Sequence, residues 1–287
     1  MRDPGHPFDW HYSAFWTLVV IGLAIAYLVG TRRSGPRPSG RQYTYFALGL
    51  ASLFVAVSWP LGNLAAHWSL LALVAQRLLL MLAVAPLLIM GTPDHLLVIL
   101  TRPAPIDAAL RQATRPLIAI VVVTVIAVGT LSTGAVSLAT SSAAGRVGFE
   151  ALILLAGFVL WAPVMGRLPG THHLSSLGAG GYLIVQSIVP SFLSIVWIFA
   201  RRPLYRAYDH QHIAGLSPLL DQQLAGFAAK LGTIAVLWVA AFVIMSRAER
   251  NDQRDEDQPL IWSDVEREIE RAERKGRWQK WVPPSTH

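Results

Sequence analysis

The sequence predicts an all-α fold: a polytopic transmembrane helical bundle of about seven spans, N-terminus out and C-terminus in, with a cytoplasmic amphipathic C-terminal helix. Three observations predict it. Of 287 residues, 53% are hydrophobic and 14% charged, and the mean hydropathy is +0.45. Runs of about 20 apolar residues, enough to cross a bilayer as a helix, recur along the chain. Arg is concentrated in the segments between those runs and in the tail. Cysteine is absent, which excludes disulfides, thiolate metal sites and Cys nucleophiles. In such a chain the net charge of +7 favours lipid headgroups, not nucleic acid, as the partner.

The spans fall near 14–30, 43–59, 68–90, 117–139, 147–165, 181–200 and 219–246. The first does not read as a cleaved signal peptide. Its N-terminal flank, Met1 to Ser13, holds one Arg against Asp3 and Asp9, whereas Arg32, Arg33, Arg37 and Arg41 follow it. That asymmetry places the N-terminus outside. Arg102, Arg111, Arg115 and Arg167 then fall in inner loops, and Arg247, Arg250 and Arg254 follow the last span on the same side. Arg2, Arg146, Arg201, Arg202 and Arg206 fall outside, and the last three run against the bias.

Punctuation agrees with these limits. Pro60-Leu61-Gly62-Asn63 reads as the turn between spans two and three. Ser217-Pro218 supplies an N-cap and a first-turn proline to span seven. Pro86, Pro163 and Pro190 lie inside spans and are expected to bend them. Residues 1–246 thus form the membrane domain and 247–287 a charged, water-facing tail. In the tail, Ser263 to Glu266 fits a capping box, acids precede bases, and Trp262, Val265, Ile269 and Ala272 make an apolar stripe ahead of Trp278 and Trp281.

The most informative motif is Asp221-Gln222-Gln223-Leu224-Ala225-Gly226, which opens span seven ahead of Lys230. Arg77, next to Gln76, and Glu150 are the other ionisable groups in or just inside spans. At ~1.5 Å per residue, Arg77 lies roughly 13 Å and Lys230 roughly 17 Å along their helices. Unpaired charges in hydrocarbon cost at least ~2.5–3.5 kcal/mol each, so these groups are expected to face the interior and pair. Gln222, Gly226 and Lys230 share one helix face. The expected arrangement is an outer-half polar cluster in which Glu150 or Asp221 neutralises Arg77. It reads either as a working site or as a structural ion pair locking three helices.

These residues, in this order, resemble the polytopic CtaG family of cytochrome c oxidase assembly factors. The resemblance rests on Ser58-Trp59-Pro60-Leu61, on Gln76-Arg77-Leu78-Leu79-Leu80 with Ala85-Pro86-Leu87-Leu88, and on Glu150 with Trp161-Ala162-Pro163. It ends on Pro203-Leu204-Tyr205-Arg206-Ala207-Tyr208 and the Asp221–Gly226 motif. It implies a membrane protein of the bacterial plasma membrane that helps mature a haem-copper oxidase through its copper centres, with oxidase subunits and the bilayer as partners. The resemblance also implies metal-ligand histidines at three positions that are occupied here by Leu73, Arg77 and Ala151. Leu and Ala offer no lone pair and Arg is a fixed cation, so the expected copper site is absent. Copper would then need other ligands; His6, His11, His67, His210 and His212 fall on the proposed outer segments.

No Gly-rich phosphate loop, nucleophile–base set or HExxH motif occurs, so an enzyme is not expected. The alternatives to an assembly factor are a transporter or copper-import protein, and a degenerate structural scaffold without metal. No internal repeat of the kind common in transporters is evident.

Overall fold

The computed structural model describes residues 13–33, 35–168, 170–171, 174–209, 215–256 and 270–271. No strand occurs among them. Six helical stretches are long and apolar enough to cross a membrane: Ala14–Arg33, Gly40–His67, Leu70–Gly91, Ala143–Met165, Ser176–Ile198 and Pro218–Arg250. A bent pair makes a seventh if counted as one span. The chain is an all-α, multi-pass membrane protein.

Helix α1 (Ala14–Arg33) ends on Arg32 and Arg33, cations at the negative end of its dipole. Helix α2 (Gly40–Val57) opens on a capping box, with Ser39 Oγ accepting from the Gln42 amide and Gln42 Oε1 from the Ser39 amide. A short α3 (Leu61–His67) follows. The next span is composite: α4 (Leu70–Leu78), a π-helical turn over Leu79–Val84, then α5 (Ala85–Gly91). Two-thirds of Leu70–Gly91 is buried, so it is the central element of the bundle.

The π turn follows from Pro86. Proline has no N–H, so one carbonyl of the preceding turn loses its donor. The Ala85 amide reaches back five residues to the Leu80 carbonyl, which leaves the orphan at Met81. Trp161 fills the gap, its Nε1–H donating to Met81 O at 3.1 Å. Gly157, one turn earlier on the Trp161 helix, makes the approach possible: a Cβ there would lie 2.8 Å from Ala85 Cβ and 3.0 Å from Met81 Cα. On the opposite side a side chain at Gly91 would collide with the backbone of Phe46, so α2 and α5 also meet closely. Tyr27 stacks on Phe46 with centroids 3.8 Å apart and donates its hydroxyl to Gly91 O.

Helices α6 (Asp94–Thr101) and α7 (Ala104–Ala113) lead to α8 (Pro116–Gly129), which turns 93° from α7. The expected fourth span at 117–139 is not one helix. At ~1.5 Å per residue, the 14 residues of α8 reach ~21 Å, short of the ~30 Å hydrocarbon core. The helix stops because Ser132 caps a new one, α9 (Thr133–Ser141), by accepting from the Ala135 amide, while Thr130 turns its hydroxyl back to Ala127 O. Next come α10 (Ala143–Met165), α11 (Ser176–Ile198), a 3₁₀ turn at Arg206–Tyr208 and α12 (Pro218–Glu256).

The chain divides into two compact units, Met1–Ile244 and Met245–His287. In the second, helical conformation runs to Glu256, with Arg250 Nε donating to Ser246 O. Apart from Glu270 and Arg271, the amphipathic tail helix expected from Ser263 lies outside the described residues.

Candidate functional site

The polar groups gather at the end of the bundle where α4, α10 and α12 begin. Ser69 caps α4, its Oγ accepting from the Ala72 amide and donating to Asp221 Oδ1 at 2.5 Å. The first amide of α4, Leu70 N, donates to Asp221 Oδ2 at 2.7 Å. A buried carboxylate thus sits on a helix N-terminus, where both its lone pairs and its charge are satisfied. The two following amides act on the α11–α12 connection. Gln222 Oε1 accepts from the Leu204 amide at 2.7 Å, and Gln223 Nε2 donates to Ala200 O at 3.3 Å. Gly226 lets α12 lie against α11, since a Cβ there would be 2.9 Å from Ser194 O. Lys230, three residues short of buried Thr233, is half-buried and donates no hydrogen bond to this cluster.

A second cluster lies on α4 and α10. Glu150, 6% exposed, accepts from Trp16 Nε1 at 2.6 Å and from Gln76 Nε2 at 2.8 Å; Gln76 also donates to Ala56 O. Arg77 is equally buried and donates Nη1 to Thr130 Oγ1 at 3.2 Å. The expected neutralisation of Arg77 by Glu150 or Asp221 is therefore not formed. Ion pairs among the described residues join Asp107 to Arg111 and Asp94 to Arg167 instead. The reason is that each buried carboxylate already holds two neutral donors. Arg77 and Glu150 meet only as walls of one cavity of about 10 Å³, which Arg146 also lines.

The tyrosines link the clusters through backbone carbonyls. Tyr205 donates to Leu131 O at 2.6 Å, in the break after α8, and Tyr208 to Ala65 O at 2.7 Å. Burial pushes the Tyr205 hydroxyl up to about 12 and raises Tyr208 further, so both stay protonated donors at neutral pH. Of the other motif residues, Trp161 and Pro86 serve the π turn, and Pro163, inside α10, offers its carbonyl to the Leu174 amide.

Copper does not fit the positions the resemblance points to. Leu73 and Ala151 carry no donor atom, and Arg77 is a cation engaged with Thr130. No group of three or more His, Asp or Glu able to hold a metal occurs among the described residues. His67 Nε2 lies 3.3 Å from Arg146 Nη1, a cation that opposes metal binding at that nitrogen. His6, His11, His210 and His212 lie outside the described residues.

Four partners escaped sequence reasoning: Trp16, Ser69, Thr130 and Arg146. Ser69 carried a signal, as a serine directly before an apolar helical run. Trp16 and Thr130 carried none, because a polar group on a lipid-spanning helix gains its partner only from the tertiary fold.

Beside Glu150, the start of α1, the end of α2, α3 and the start of α10 enclose an open cavity of about 720 Å³. No curated protein and no solved structure matches this chain. A family match does exist. The starts of α4, α10 and α12, which meet at this end, fall within residues 25–251, which match the family described as cytochrome c oxidase caa3 assembly factor (Caa3_CtaG). The chain therefore belongs to the cytochrome c oxidase caa3 assembly factor family.

Proposed function

We propose that this protein assists the maturation of a haem-copper oxidase in the bacterial plasma membrane by engaging an oxidase subunit through the polar end of its bundle, and that it does so non-catalytically. Its orientation is N-terminus out and C-terminus in, so that end faces outward. The observation that carries the reading is the family match across residues 25–251. The bonds of Asp221 and Gln222, and separately those of Glu150 and Gln76, support it by tying α4, α10, α12 and the α11–α12 connection together at that end. The copper-centre role follows from the kind of oxidase served. Within the described spans it does not proceed by ligation at positions 73, 77 and 151, whose side chains cannot bind the ion.

The test is terminal-oxidase activity in membranes from cells lacking the gene, with and without added copper. Activity lost and not restored by copper is the expected result. Restoration by copper would move the role to metal supply, and His6, His11, His210 and His212 would be the ligands to mutate. Unchanged activity would overturn the assembly role.

A further inference from the structure

The 720 Å³ cavity is built from groups that suit an anion with an apolar body. Ser58 lines it, is 2% exposed, and its Oγ has no hydrogen-bond partner among the described residues. Arg146 lines it too, and its guanidinium donates toward the His67 ring, with no acid in ion-pair range among the described residues. Glu150, one turn further along α10, lines a small cavity together with Arg146, and its two oxygens are held by Trp16 and Gln76. Buried Asn63 adds a further polar side chain.

The backbone adds to this charge. Helices α1 and α10, of 20 and 23 residues, both begin at the cavity, so their positive dipole ends lie at it, although the Trp16 and Gly145 amides are already held by Ser13 Oγ and Ser142 Oγ. The C-terminal end of α2 also borders the cavity, with two of its carbonyls engaged inside the protein: Ala56 O accepts from Gln76 and Ser58 O from the Asn63 amide. The remaining walls are apolar or small, including Phe15, Val57, Val147 and Gly148. An opening at the ends of two membrane-crossing helices lies at headgroup depth, where phosphodiesters with acyl chains are the abundant anions.

We infer that this cavity binds one anionic phospholipid, its phosphate held by Arg146, Ser58 and the α10 N-terminus and its glycerol and upper chain against Phe15, Val57 and Val147. The site lies at the end that the proposed function uses, but its test needs no oxidase, so either idea can fail alone.

The experiment is native mass spectrometry of the detergent-purified full chain, followed by thermal unfolding in nanodiscs of phosphatidylglycerol or phosphatidylcholine. Wild type is expected to retain one phosphatidylglycerol and to unfold at higher temperature in that lipid. R146Q is expected to retain it at least tenfold more weakly. Gly148→Leu gives a second route, because a Cβ at Gly148 meets nothing within 4 Å and the new side chain fills open cavity space. This variant is expected to fold and to lose the lipid. Equal retention of both lipids by wild type, or undiminished retention by R146Q and Gly148→Leu, would overturn the inference. So would inorganic phosphate stabilising delipidated protein as well as phosphatidylglycerol does, since that assigns the site to a free ion.

Discussion

Replacing Trp161 with Phe removes the N–H that satisfies Met81 O while keeping an aromatic ring in a position that is 5% exposed. Met81 O has no second donor in reach of its own helix, because the Ala85 amide is bonded to Leu80 and residue 86 is proline. An orphaned buried carbonyl costs about 1–3 kcal/mol, with membrane-protein cycles at the lower end, and the smaller ring leaves a void costing roughly 1 kcal/mol more. The sum, about 2–3 kcal/mol, corresponds to a fall in Tm of about 3–6 °C for a chain of this size. Pro86→Ala restores the missing N–H and allows the turn to regain a donor from its own backbone. In that background Trp161→Phe should cost only the void, giving a coupling of about 1 kcal/mol. Thermal unfolding of the four proteins in one detergent measures it. A cost for Trp161→Phe that is the same with Pro86 present and in the Pro86→Ala background would refute the link between the proline, the π turn and the indole.

Three further outcomes follow from the same contacts. Asp221→Asn turns an N–H toward Ser69 Oγ or Leu70 N, both of which donate to the carboxylate, and should lower stability by about 1–3 kcal/mol; an unchanged Tm would mean the carboxylate does not cap α4. In a double-mutant cycle, Arg77→Met with Glu150→Gln should couple by less than about 0.5 kcal/mol, whereas Trp16→Phe with Glu150→Gln should couple by about 1 kcal/mol, and the reverse ranking would restore the direct ion pair. For pH, burial raises the Tyr205 hydroxyl from its ordinary ~10 to about 12. The unfolded chain therefore loses this proton first, so the stabilisation is complete below pH ~10 and is lost as pH rises toward 12. Tyr205→Phe should flatten unfolding curves across that window, and an unaltered alkaline slope would count against a protonated, buried Tyr205.

The span limits were legible because hydrocarbon imposes one rule on every crossing helix, and apolar length records it directly. Spans at 14–30, 147–165 and 219–246 overlap Ala14–Arg33, Ala143–Met165 and Pro218–Arg250 for that reason. The fourth span failed because hydropathy does not register small polar residues that turn a helix inside a bundle. Gly129, Thr130 and Ser132 lower the apolar average little, yet Ser132 captures the Ala135 amide and starts a new helix. A proline inside a span predicts only a bend. That Pro86 becomes a π turn depended on an indole 75 residues away, and nothing local encodes that partner.

The site divides the same way. The Asp221–Gly226 motif was visible as an anomaly, since polar groups at a span entrance are costly unless bonded. Its partners were not visible, because charge lists suggest charge pairs. Burying two opposite charges together still forfeits the hydration of both, and the Coulomb gain recovers that loss only in good geometry. A carboxylate that takes an indole N–H, an amide N–H or a capping serine avoids desolvating a cation and gains short, charge-assisted bonds. Glu150 and Asp221 each adopt this solution. Arg77 is thereby left with a hydroxyl, in the break between α8 and α9 whose Leu131 carbonyl holds Tyr205. The short α8, unexplained as a crossing helix, is explained as the element that brings a hydroxyl and a free carbonyl to the buried arginine and tyrosine.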